Sequence, residues 1–159
     1  MPKIPSKASV IISIILSVLF SVIVAGMAIL LPFEVSRTGP TEEFIRVLLA
    51  DKLGDQYIVW FMVWSYSILA LALVCCIAVT LLLLRVRKGL VFTAKSVSYI
   101  RFISWMCVLL AVVIFTAQYF HAAAFIITLA MAFLGLCLRV VKNVIEAATE
   151  IKNENDLTV

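Results

Sequence analysis

The chain has 159 residues, of which 65% are hydrophobic and 14% charged, with 13 Lys and Arg against 9 Asp and Glu. A water-soluble domain has no means of hiding so much apolar surface, so that class is excluded. The charges are also segregated, with none between Ala8 and Phe33, between Gln56 and Leu84, or between Phe102 and Leu138.

A bilayer core about 30 Å thick takes about 20 apolar residues per helical crossing. The first stretch supplies one, over residues 8–31. Lys3 and Lys7 precede it, as in a secretory signal. The run continues through Ile29, Leu30 and Leu31, however, past the length of a signal's apolar region, so it is expected to be retained. Ser9, Ser13, Ser17 and Ser21 recur every fourth residue, with Ala25 next, and so share one stripe. Lipid supplies no hydrophobic force between helices, and small-residue stripes with hydroxyl groups let them pack closely instead. The alternative reading is a hydroxyl-lined polar path.

Residues 32–56 are expected to form an outer loop. Gly39-Pro40-Thr41 marks a turn into a helix, with Thr41 as its N-cap and Glu42 and Glu43 at its positive end. Phe44, Ile45, Leu48, Leu49 and Leu53 follow at helical spacing. Such a short amphipathic helix lies on the membrane surface or caps the bundle; a receptor surface for an extracellular peptide is the alternative. Span two, residues 57–84, opens on Tyr57, Trp60 and Trp64, which with Trp105 match interfacial aromatic belts.

The inner loop covers residues 85–101. Gly89 is placed to stop the second helix and Thr93 to cap the third, which is expected to begin near Ala94 and enter the bilayer near Phe102. The stretch from Phe102 to Leu138 has 37 residues. As one helix it would run roughly 55 Å, which suits two crossings. These are residues 102–119 and 122–139, with the turn at Tyr119-Phe120-His121. Ser104, Cys107 and Ala111 form a small-residue stripe on span three; Ala124, Thr128 and Ala132, with Gly135, form one on span four.

Past Arg139 the tail, residues 140–159, keeps a helical pattern. Val141, Val144, Ile145, Ala148 and Ile151 share one face, while Arg139, Lys142, Asn143, Glu146, Glu150 and Asn153 lie opposite. An apolar face of this kind needs a cover, whether lipid, the inner loop, a second copy of the chain or a foreign partner. The chain closes on Asn155-Asp156-Leu157-Thr158-Val159, expected as a polar break with an extended tip, frayed or added to a partner's sheet edge.

With four spans, ten basic residues fall on the side of the termini and three on the other. The positive-inside rule then places both termini in the cytoplasm. The expected fold is an all-α integral membrane four-helix bundle with cytoplasmic termini and an amphipathic C-terminal helical extension, one domain over residues 1–159. Lipid is its first partner, and the basic residues serve topology and anionic lipid, not nucleic acid.

Catalysis has little material here. His121 is the one His, at the expected turn, and Cys75, Cys76, Cys107 and Cys137 all fall within spans. A metal site normally takes three or four ligands. No span holds a carboxylate for acid–base work. An enzyme, a metal and a cofactor are therefore not expected. Carriers typically place ionisable residues or broken helices in mid-membrane, and neither is evident, which leaves a solute transporter or pore as a minor reading.

The closing stretch Arg139-Val140-Val141-Lys142-Asn143-Val144-Ile145-Glu146-Ala147-Ala148, continued by Lys152-Asn153-Glu154-Asn155-Asp156-Leu157-Thr158-Val159, resembles the ending typical of a bacterial membrane family, domain of unknown function 2975. Gly89-Leu90-Val91-Phe92-Thr93 with Val97 is similar to its other signature. Ser96 stands where that pattern prefers Asn, and Val159 where it prefers Ile. The resemblance implies small four-span proteins of the bacterial cytoplasmic membrane, many encoded beside a small helix-turn-helix repressor of the Cro/CI type. It brings no catalytic residues.

Two readings follow. In the first, the inner loop (Phe92, Thr93) and the tail (Val141, Val144, Ile145, Ala148, Ile151, Asn155, Asp156, Leu157) bind a cytosolic helix-turn-helix repressor. In the second, the helix from Phe44 to Leu53 intercepts membrane-active peptides on the outer face, as an immunity or stress-tolerance protein.

Overall fold

The computed structural model describes residues 6–36, 43, 45–47, 49, 56–117 and 123–157. Four long helices carry the architecture: α1 (Ser6–Ser36), α2 (Tyr57–Arg87), α3 (Ala94–Ala117) and α4 (Ala123–Leu157). Each contains a window long and apolar enough to cross a membrane. The chain is thus an all-α membrane helical bundle.

Why helices form is answered by the solvent. In hydrocarbon every backbone N–H and C=O must be satisfied within the segment, and only a helix does this strand by single strand. Ile, Val and Phe, indifferent helix formers in water, are tolerated for that reason. The same physics carries α1 through Pro32 to Ser36, beyond the loop boundary expected at Leu31. A proline removes one N–H and crowds the carbonyl four residues back, and membrane helices absorb that loss locally.

The α2–α3 connection is built as its sequence suggests. Gly89 adopts φ +76°, a left-handed conformation that a Cβ would strain. Leu90 N–H donates to the Arg85 carbonyl at 3.1 Å and Gly89 N–H to that of Val86 at 3.0 Å, so the helix closes in a Schellman motif. Thr93 then starts α3: its Oγ1 accepts from Ser96 N–H at 3.3 Å. Ser96 Oγ donates back to the Leu90 carbonyl at 2.7 Å and is 1% exposed, locking the turn onto the helix it introduces.

Close backbone approach is confined to sequence neighbours among the described residues: α1 with α2, α2 with α3, and, most extensively, α3 with α4. The compact bundle expected from the small-residue stripes is therefore opened out, and α1 does not pack on α4. A third of the α3 span is buried (33%) against 6% for α1 and α2, which makes α3 the central rod. Ala78 of α2 and Ile103 and Cys107 of α3 form the main core, which Met131 and Leu138 of α4 also reach.

At the end opposite the α2–α3 turn, Glu43, Ile45, Arg46, Val47 and Leu49 are helical. Ile45 and Leu49 are buried with Val35 against Tyr57, Ile58 and Phe61, so this segment caps the bundle with its apolar side. Thr41, Phe44, Leu48, Leu53 and the turn at Tyr119-Phe120-His121 lie outside the described residues.

Candidate functional site

The small-residue stripes meet specific partners. Ser17 and Thr80 share a hydrogen bond of 2.8 Å that ties α1 to α2. Ser13 and Ser21 turn their hydroxyls back to the Ser9 and Ser17 carbonyls, and Ser9 itself is exposed. Thr128 likewise donates to the Ala124 carbonyl at 2.9 Å, while Ala124 and Ala132 are half-buried. The tightest crossing is α3 on α4. Ser104 Oγ donates to the Gly135 carbonyl at 2.8 Å, and a Cβ built on Gly135 would stand 3.0 Å from Val108 Cγ2. Small residues at the contact are what let membrane helices approach this closely.

Beyond this crossing α3 and α4 continue together as the basic end of the molecule. α4 has 35 residues, roughly 53 Å, against a bilayer core of about 30 Å. Its charged residues begin at Arg139, where the guanidinium lies 4.8 Å from the Trp105 ring centre. An arginine over an interfacial tryptophan suits the inner edge of the headgroup region, where the apolar part of α4 ends.

Past that level an exposed ion pair bridges the two helices. Arg101 Nη2 meets Glu146 Oε1 at 3.2 Å, and Lys142 pairs with Glu146 from one turn earlier on α4. The Lys142 hydrogen bond, outweighing a smaller desolvation cost and backed by both positive charges, holds the Glu146 carboxyl below the usual carboxylate range. Val97, one turn before Arg101, and Ile100, immediately before it, are buried, as is Thr149, one turn after Glu146.

The tail's apolar residues divide accordingly. Ile145 and Ala148 are half-buried at the edge of the α3 contact. Val141 (46% exposed), Val144 (62%) and Ile151 (60%) point away from it. Phe92 in the connecting turn is also exposed, at 44%, whereas Thr93 is half-buried by its capping role. Asn155, Asp156 and Leu157 belong to the last turn of α4, so residues 155–157 are helical where an extended break was expected; their side chains lie outside the described residues. Thr149 and Thr80, both of which donate to a carbonyl one turn back, were not singled out in the sequence because a lone hydroxyl residue carries no periodic signal.

Among the described residues no group of three or more His, Cys, Asp or Glu side chains is placed to hold a metal ion. The site is thus a two-helix arm: Val97, Ile100 and Thr149 are buried within it, partly exposed ion pairs rim the contact, and Val141, Val144 and Ile151 form an exposed apolar row.

A small multi-helix membrane protein with such an arm is the class this geometry defines. Residues 37–159 match the family described as a protein of unknown function (DUF2975), and the chain belongs to that family. The matched stretch takes in α2, α3, α4 and the whole arm, and leaves α1 outside it. No curated protein and no solved structure matches the chain.

Proposed function

We propose that the protein is a membrane-anchored regulator of the bacterial cytoplasmic membrane, which holds a small cytosolic helix-turn-helix repressor at the membrane. The basic end faces the cytoplasm on this reading, in line with the excess of Lys and Arg there. The observation that carries it is the arm: α4 continues as a helix to Leu157 with Val141, Val144 and Ile151 exposed, although α3 already covers its other side. An exposed row at helical spacing is how an amphipathic helix engages a groove on a partner. Phe92 adds an aromatic side chain at the adjoining turn. The choice of a repressor rests on the gene arrangement that the family resemblance implies. No catalytic role is proposed for any residue.

The test is co-purification of the full-length protein, in mild detergent, with the repressor encoded beside it. The intact chain retains the repressor on this reading, and Val144→Asp with Ile151→Asp releases it while the protein's abundance in the membrane stays unchanged. A wild-type chain that never retains the repressor overturns the proposal.

A further inference from the structure

Between α2 and α3, at the basic end, lies a groove of about 860 Å³. That volume is within the roughly 300–1,000 Å³ of small-molecule sites. Its walls are open to the side rather than sealed by a third helix, with Val74, Leu81 and Phe102 each 42–43% exposed. The groove is polarised along its length. The lower part is apolar, made by Val74, Ile77 and Leu81, and the upper part is lined by Arg85, Lys95, Ser98 and Tyr99.

Two cations face this space and no carboxylate lines it. Arg101 and Lys142 are engaged with Glu146, but neither Arg85 nor Lys95 forms an ion pair among the described residues. Arg85 lies 5.9 Å from the Tyr99 ring centre, and its Nε is buried with no hydrogen-bond acceptor. A buried charged donor without an acceptor is a costly arrangement, and it is relieved if something in the groove brings one. A second groove, about 320 Å³ and almost wholly apolar, runs between α1 and α2 and shares Ile77 and Leu81 with the first. Ser21 and Thr80 on its wall already have partners, at the Ser17 carbonyl and Cys76 carbonyl respectively, so it offers a surface for hydrocarbon alone.

A pair of cations at the headgroup level, above two adjoining apolar slots, matches one kind of molecule. We propose that this surface binds an anionic phospholipid from the surrounding leaflet. Its phosphate sits against Arg85 and Lys95, and its two acyl chains lie on either side of Ile77 and Leu81. Basic pockets between membrane helices recognise anionic headgroups in this way. The inference is independent of the repressor reading and requires only that the helices span a bilayer.

Native mass spectrometry of the full-length protein in mild detergent tests it, with dioleoyl phosphatidylglycerol and dioleoyl phosphatidylcholine as probes. One phosphatidylglycerol is retained, and phosphatidylcholine binds about tenfold more weakly or worse, since its headgroup carries no net charge to match the two cations. Arg85→Gln with Lys95→Gln weakens phosphatidylglycerol by about fivefold for each cation removed. Arg87→Gln with Lys88→Gln removes equal charge from the neighbouring turn and leaves binding within about twofold. Leu81→Trp keeps both cations, fills the apolar slot and weakens both lipids alike, which covers the case of a double variant that fails to fold. Equal retention of the two lipids, equal loss in the Arg87 and Lys88 control, or full displacement by inorganic phosphate overturns the proposal.

Discussion

Gly135 and Ser104 concentrate in two residues the problem of joining helices in lipid. A Cβ at position 135 would stand 3.0 Å from Val108 Cγ2 and 3.4 Å from the Ser104 carbonyl oxygen. Gly135→Ala asks only that Val108 give way slightly; Gly135→Leu pushes α4 off α3 and should cost about 1–3 kcal/mol, as overpacking does. Ser104→Ala removes the interhelical hydrogen bond and should cost about 0.6 kcal/mol, the average for such bonds in membranes. Thermal unfolding in detergent measures both, and because they act at one crossing their effects should not add. An unchanged melting temperature for Gly135→Leu contradicts the packing described. A second backbone test is Gly89→Ala, which forces a Cβ into φ +76° and should lower stability by about 1–2 kcal/mol. Gly89 was legible in the sequence because it follows a charged helix end, and Gly135 because it extends a small-residue stripe. That Ser104 donates to the Gly135 carbonyl was not legible, since the axial offset of two helices is set by packing that periodicity does not encode.

Among the elements, α4 departs most from an ordinary crossing helix, because it packs on α3 along both halves while one half also answers to lipid and the other to water. The Arg101–Glu146–Lys142 cluster fastens the second half. Its pH dependence has a definite sign. The folded Glu146 pKa is depressed, so the stabilisation is complete above the ordinary carboxylate pKa and is lost as pH falls through the lowered folded value. Spin labels at positions 94 and 150 should report a narrow distance distribution at neutral pH that broadens only in acid below the ordinary carboxylate range. Glu146→Gln should broaden it at neutral pH; a distribution indifferent to that substitution shows that apolar contact alone holds the arm.

The start of α3 was readable from Gly89 and Thr93, whose chemistry is local. The end of α1 was not. Pro32 reads as a boundary by the rules of soluble helices, yet the chain stays helical through it to Ser36. The last turn of α4 was missed for a related reason: Asn155 and Asp156 look like helix breakers, but a helix already formed through Ile151 extends at little cost, because nucleation is the expensive step.

At the scale of the molecule, four crossings put Val47 on one side of the bilayer and Lys152 on the other. In a background with Cys75, Cys76, Cys107 and Cys137 replaced by Ala, Val47→Cys should react with an impermeant maleimide added to intact cells. Lys152→Cys should react only after permeabilisation. Labelling of both from one side overturns the topology. The four long apolar helices could be read from the charge-free stretches, because a bilayer tolerates so few ionised groups. The open arrangement could not: all four helices carry small residues, and nothing in their spacing says which neighbour each stripe will meet.

That arrangement bears on how the protein is made. Among the described residues each long helix makes its close backbone contacts with the one synthesised just before or after it, so the helices can pair in the order in which they emerge from the ribosome. α1 meets Thr80 of α2 through Ser17 before α3 exists, and α4 closes on a partner already in place. A contact order of this kind spares the chain a core that waits on a distant segment, the circumstance in which long chains go astray.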